Sequence, residues 1–154
     1  MRQTIAIRLA NIDDMKSVFD LSNDDIVRAN SIHSEKIEWE NHIVWFKNKI
    51  VSKDIVFYIL EIEDNFAGYC HIDREDNDEW MATIHIAKAY RGKNLGFNFL
   101  KIICKSNSNK NIIAYIKTSN VASKKIFEKN NFQIFDIITI NSEKYYLFKK
   151  AKAK

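Results

Sequence analysis

Six consecutive residues, Arg91-Gly92-Lys93-Asn94-Leu95-Gly96, separate an apolar run from a helical one. The chain has only three glycines and no proline, so two glycines this close mark a backbone that bends sharply or approaches something closely. A strand, a glycine turn and a helix start together expose unpaired N–H groups of partial positive charge. Such a backbone can hold a diphosphate, with Arg91 and Lys93 adding charge, although the same turn also serves as a plain connection. A second cluster lies upstream, where His42 and Trp45 stand at i, i+3 on a helical segment, a hydrogen-bonding ring beside a flat apolar plate. Arg28, on a polar stretch, offers a guanidinium suited to a diphosphate oxygen or simply to solvent. Cys70 and Cys104 sit in apolar surroundings without metal-ligand spacing, so no metal is expected and both read as buried thiols.

The elements that must position these groups follow from periodicity. Residues 4–9 alternate as a half-buried strand, and Asn11 or Asp13 can cap a helix running to about residue 21. Residues 37–50 read as a helix with Trp39, Ile43, Phe46 and Ile50 along one face, Trp39 and Phe46 as packing residues. The runs 55–63 and 66–73 are β-rich and meet across Asp64-Asn65 as a hairpin, and Asp76-Asn77-Asp78 turns into a strand ending at 86. The glycine loop opens a helix to about residue 104. A strand at 111–116, a helix at 120–129 and a hairpin of 132–140 with 144–149 complete the chain. This order is mixed α/β, with antiparallel hairpins and some parallel pairing where helices intervene.

At 154 residues the chain is expected to form one domain over 1–150, followed by a short basic tail at 151–154. The formal charge of +4 owes much to Lys149–Lys154, read as a frayed, solvated end, and a nucleic-acid-binding domain would carry a denser basic face. No apolar run approaches the roughly 20 residues of a membrane span. The opening MRQTIAIRLANIDD alternates and then turns acidic, unlike a secretory signal, and a cytoplasmic location is expected.

Three stretches, IRLANIDD, IHIAKAYRGKNLG and NVASKKIFEKNNF, follow one another along most of the chain. They resemble, in order, parts of the GNAT superfamily of acetyl-CoA-dependent N-acetyltransferases: its first strand and helix start, its fourth strand with the acetyl-CoA loop, and its late Asn…Ser…Tyr-Glu-Lys-x-Gly-Phe segment. The resemblance implies a central twisted mixed sheet of about seven strands with about four helices on both faces. It implies acetyl-CoA as co-substrate, met by main-chain groups from Ile84 to Ile86, by the loop Arg91, Gly92, Lys93, Asn94, Leu95 and Gly96, and by Asn120 and Ser123. Asn120 also reads as an ordinary N-cap. Two positions depart from the pattern. Asn94 replaces the central loop glycine, which asparagine's tolerance of left-handed φ can accommodate. Phe127 replaces the tyrosine that protonates the departing thiolate, leaving Tyr115, Tyr145 or water to supply that proton.

The segment LSNDDIVRANSIHSEKIEWENHIVWF is similar to a GNAT subgroup that acetylates the 4-amino group of nucleotide-linked amino sugars on the route to pseudaminic acid. That similarity implies substrate contacts from Arg28, His42 and Trp45, and a nucleotide-linked 4-amino-4,6-dideoxy sugar as acceptor. The base that frees the amine stays open among His42, His85, Glu79 and His71, histidine being the default because it titrates near neutrality. His85 lies on the strand beside the expected thioester, though alternation allows it either face. Glu79 begins that strand and could relay a proton through water. A protein N-terminus, polyamine or antibiotic amine is the rival acceptor, and an acyl-CoA-binding module without turnover is the rival class. Dimers are common in the family, but no feature of the sequence locates an interface.

Overall fold

The structure, a computed structural model, describes residues 3–154. Seven strands form one sheet: β1 (Ile5–Leu9), β2 (Ile55–Ile62), β3 (Asn65–Arg74), β4 (Glu79–Ile86), β5 (Asn111–Lys117), β6 (Gln133–Ile140) and β7 (Glu143–Lys150). Five helices join them: α1 (Met15–Ser22), α2 (Asp25–Asn30), α3 (Trp39–Val51), α4 (Leu95–Ser106) and α5 (Val121–Lys129). The sheet order is β1-β2-β3-β4-β5-β7-β6, and every neighbouring pair is antiparallel except the parallel pair β4–β5.

Strand alternation divides the core in two. On β2 and β3, Leu60, Ile62, Cys70 and Ile72 face α4 and α5, where Phe99, Leu100, Ile103 and Phe127 close the larger cluster. Phe57, Ile59 and Tyr69 point the other way, under Val18 and Leu21 of α1, Val27 of α2 and Phe46 of α3. The helices therefore cover both sheet faces. Both cysteines are buried and unpaired in the α4 cluster, and burial pushes the Cys104 thiol up to about 11. Among the described residues no helix is long and apolar enough to cross a membrane.

Several local expectations shift. Asn11 is the residue that caps the first helical turn, accepting from the Asp13 N–H while the Asp14 carboxylate takes the Asn11 N–H at 2.8 Å. The stretch expected to be merely polar contains α2, which buries Val27 and raises the helix count to five. The β2–β3 turn falls one residue early, on Glu63-Asp64, because Asn65 is already paired with Ile62. Its φ values of 50 and 65 are the left-handed pair of a tight hairpin, repeated at Asn141-Ser142. Lys149 and Lys150 are not frayed but belong to β7, and Lys149 binds Glu79 at 2.9 Å. Beyond them the backbone still bonds to the α4–β5 connection, from Ala153 to the Ser108 carbonyl at 2.7 Å.

The expected face of α3 is also rotated. Phe46 is fully buried, but Trp39 lies at the rim against Phe19, whereas His42 is drawn into the core. Replacing Phe46 by alanine deletes a ring that touches both α3 and β2 neighbours and leaves a cavity. Phe46→Ala is expected to cost about 3–5 kcal/mol in urea unfolding, with little change in slope.

Candidate active site

The parallel ladder between β4 and β5 is short. It holds Glu79 to Asn111, Trp80 to Ile112 and Met81 to Ile113, and no pair follows. Further along, β4 remains bound to β3 as far as Ile86 opposite Gly68, while β5 turns toward β7. The β5-side edge of residues 83–86 therefore opens onto a cavity of about 1000 Å³ instead of onto a neighbouring strand.

One part of this cavity is built by the glycine loop and two helix starts. Ile84 and Ile86 line it from β4, Arg91, Gly92, Asn94 and Gly96 from the loop and α4, and Asn120 and Ser123 from the start of α5. Gly92 sits at φ +78 and Asn94 at φ +64, so the loop takes the left-handed turn that asparagine tolerates at the second position. Gly96 serves a different need, because a Cβ there would lie 2.8 Å from Cδ1 of Ile126. Asn120 is the α5 N-cap, its side chain accepting from the Ser123 N–H at 3.2 Å. Two loop residues expected at the cofactor do not line the cavity. Leu95 turns into the α4 core, and Lys93 is exposed with its ammonium 6.0 Å from the Tyr90 ring centre.

Arg91 ties this end to the helices opposite. Its Nε donates to the Ile86 carbonyl at 2.9 Å and its Nη2 to the Asp24 carboxylate. Burial opposes ionisation of Asp24, but the Arg91 pair outweighs it and holds the carboxyl below its ordinary value. Nη1 of Arg91 is enclosed and has no partner among the described residues. A buried guanidinium nitrogen without an acceptor fits a site built for an anionic group, as do the open β4 edge and the two helix starts.

The other part lies under α1–α3. Arg28, His42 and Trp45 all line the cavity, but the first two are engaged. Arg28 donates to the carbonyls of Ser22, His33 and Glu35 and to Ser31 Oγ, which uses four of its five N–H groups to hold the 22–35 segment. It is a loop clasp before it is a phosphate ligand. His42 donates Nε2–H to the Met15 carbonyl at 2.8 Å and stacks against Trp39 and Phe46, and burial lowers its pKa. His85 does face this side, together with Tyr69 and His71. Burial pushes its pKa down to about 3, and His71, Arg28 and Arg91 act in the same direction. Glu79 lies outside the cavity, at the closed start of the β4–β5 ladder, with its carboxylate held by Lys149. Six residues of strand, roughly 20 Å, separate it from His85.

Several cavity residues had no place in the sequence reading: Ser22, whose hydroxyl bonds to Tyr69 at 2.8 Å, and Thr83 and Met81 on the inner face of β4. Asp73 does not line the cavity but lies 2.6 Å from Nδ1 of His71, which does; the signal available for it was its spacing from His71, since i, i+2 on a strand puts two side chains on one face. Phe127 is fully buried, edge-on to Phe132 at 4.9 Å. Of the hydroxyls considered in its stead, Tyr115 lines the cavity and Tyr145 is buried elsewhere.

The acetyltransferase (GNAT) domain model matches residues 4–133. No curated protein matches the chain in sequence. Among solved structures, RimL, a ribosomal L7/L12 alpha-N-protein acetyltransferase in complex with coenzyme A, superposes with a TM-score of 0.84 at 11% identity, covering 97% of this chain and 94% of that one. An N-acetyltransferase from Staphylococcus aureus Mu50 gives 0.81 at 18% identity, covering 96% and 98%. Spermidine N-acetyltransferase from Vibrio cholerae, in complex with CoA and spermine, gives 0.81 at 13%, covering 94% and 92%. At these identities the likeness is one of fold.

Two outcomes follow from this geometry. Gly96→Val drives its side chain into Ile126 and shifts the start of α4, whereas Lys93→Ala removes an exposed charge. Calorimetry should show the first weakening acetyl-CoA binding at least about tenfold and the second changing it less than about threefold; equal effects would contradict a backbone-built site. The second concerns acid. Histidines whose folded pKa lies below 6.5 bind fewer protons than the unfolded chain does, so their contribution is complete above that pH and lost as pH falls toward about 3. The lowered carboxyls of Asp14, Asp24 and Asp73 act in the same direction further down, below 3.8. Urea midpoints should therefore drop between pH 6.5 and 4, and His85→Gln should flatten that drop.

Proposed function

Because the chain belongs to the acetyltransferase (GNAT) domain family, its chemistry is acetyl transfer from acetyl-CoA to an amine, and we propose that the amine is the 4-amino group of a nucleotide-linked 4-amino-4,6-dideoxy sugar. We read residues 1–150 as a single acetyltransferase domain with a short basic tail at 151–154, and its two unpaired buried cysteines suit a reducing compartment such as the cytoplasm.

The observation that carries the acceptor is the character of the cavity wall. Among the described residues no aspartate or glutamate lines it, whereas Arg28 and Lys117, the latter reaching the Ala29 carbonyl of α2, line it beside the helices opposite the glycine loop, and Arg91, Lys125 and Lys129 line it from the loop and α5. A polyamine such as the spermine held by the Vibrio enzyme carries several positive charges and calls for carboxylates. A cationic, carboxylate-free wall suits an anionic acceptor instead, and a nucleotide-linked sugar brings a diphosphate. Trp45 adds an apolar plate, braced edge-on by Phe57 and His71, on which a sugar face or a base can rest. The residue pattern of 21–46 points to the same acceptor class.

Acetyl-CoA, when bound, supplies an activated acetyl thioester. The open edge of β4 from Thr83 to Ile86 would hold its pantetheine arm, while Arg91, the loop N–H groups and the α5 start would hold its phosphates. The chain's remaining work is positional. Its walls under α1–α3 orient the amine toward that edge, and fixed backbone donors stabilise charge that develops on the carbonyl oxygen. A proton must leave the amine, and Tyr115, which lines the cavity, would provide one to the leaving sulfur.

The test is a panel of UDP-linked 4-amino sugars, spermine, kanamycin and N-terminal peptides, followed by CoA release and product mass. The sugar nucleotides are expected to give the highest kcat/KM, and Trp45→Ala to raise their KM about tenfold or more with acetyl-CoA affinity kept. A higher kcat/KM for spermine or a peptide would overturn the acceptor.

A further inference from the structure

Four histidines line the cavity; His33 is exposed, and the other three, His42, His71 and His85, are not equivalent. His42 and His85 are both held below the ordinary histidine value by burial, and neither is hydrogen-bonded to a carboxylate. His71 is. Its Nδ1 lies 2.6 Å from Oδ1 of Asp73, and Oδ2 of the same carboxylate lies 2.5 Å from the ammonium of Lys49. The Asp73 carboxyl is buried, which opposes ionisation, yet His71 and Lys49 outweigh the burial and keep it ionised.

An ionised carboxylate only accepts, so Nδ1 carries the proton and Nε2 of a neutral His71 is the free basic nitrogen. Arg91 Nη1 is the only side-chain nitrogen or oxygen both enclosed and unpartnered among the described residues, so His71 Nε2, which has no protein partner, keeps an open side. The ring itself is fixed. It stacks on Tyr69 at an interplanar angle of 4°, lies 5.0 Å from the Phe57 ring and meets Trp45 edge-on at 5.7 Å. Thr83 pairs with His71 across the sheet and His85 with Tyr69, so His71 shares a face with the open segment of β4.

We propose that His71 is the base that takes the acceptor's proton, and that Asp73 and Lys49 are positioning residues that hold its tautomer and its ring. The inference rests on acetyl transfer to an amine and not on which amine is used. One proton passes from the acceptor nitrogen to Nε2. The freed lone pair forms the C–N bond as the C–S bond breaks, with its electron pair leaving on sulfur. The second amine proton leaves through solvent, and a proton from Tyr115 or water converts the thiolate to the thiol. Protonated His71 is paired with Asp73 and returns its proton to solvent after product leaves.

The experiment uses whichever amine of the panel is turned over. His71→Gln should lower kcat about 10²–10⁴-fold with acetyl-CoA affinity within about twofold by calorimetry, and imidazole in the buffer should restore part of the rate to His71→Gly. Asp73→Asn should lower kcat by about tenfold or more. Independently of any acceptor, nitrogen NMR of the neutral imidazoles should find the His71 proton on Nδ1 in the unaltered protein and displaced toward Nε2 in Asp73→Asn. His71→Gln with near-normal kcat, a rate in His71→Gly that imidazole does not raise, or a wild-type proton on Nε2 would each overturn the assignment. Failure of every sugar nucleotide alongside turnover of another amine would overturn the acceptor and leave this test intact.

Discussion

A buried peptide group must find a hydrogen-bond partner, and in this sheet one seam is built so that the partner cannot be another strand. β4 and β5 are joined over three residue pairs and then part. Everything upstream of the seam is ordinary sheet economy, with strand paired to strand and helices over both faces. Past Met81 the β4 edge is committed to whatever enters the cavity. The helices then take their places around that opening: α4 and α5 present their first turns to one part, and α1–α3 roof the other. Without the parting there would be a well-packed α/β sandwich and no opening beside β4.

Arg91 is where the two parts are linked. Its side chain reaches from the loop before α4 to the last carbonyl of β4 and to Asp24 at the α1–α2 junction. The glycine loop, β4 and the α1–α3 roof thus share one guanidinium, two of whose three nitrogens are spent on protein and one of which is enclosed without a partner among the described residues. An arrangement in which one residue contacts all three walls makes the shape of one part dependent on the other, because moving any wall strains the same planar fork.

The strands and long helices were legible because their apolar periods are strong, and α4 shows why. Leu95, Phe99, Leu100 and Ile103 repeat at helical spacing and all end in one core cluster. The cavity was less legible. Of the residues expected at a site, Arg91, Gly92, Asn94, Gly96, Asn120, Ser123, His85 and Trp45 line the cavity, but sequence spacing could not show that Arg28 would be consumed by the carbonyls of its own segment. Nor could it separate Glu79 from His85, since only the point at which β5 leaves β4 decides which end of that strand is open. Lys49, Asp73 and His71 come together from α3 and β3, and only Asp73 and His71 are near in sequence. Ion pairs across elements follow from packing, and no linear pattern announces them.

The turns carry a thermodynamic consequence of their own. With one glycine in the left-handed region, the described chain places eight other residues there, mostly asparagine and aspartate in the tight hairpins and helix ends. Each holds about 1 kcal/mol or more of local strain that glycine would not. In exchange, an asparagine or aspartate wanders over far less conformational space than glycine when the chain is unfolded, so less entropy is lost when the turn closes. The hairpins of this protein are thereby restrained before they form, and part of the native state's advantage lies in the narrowness of the ensemble it leaves behind.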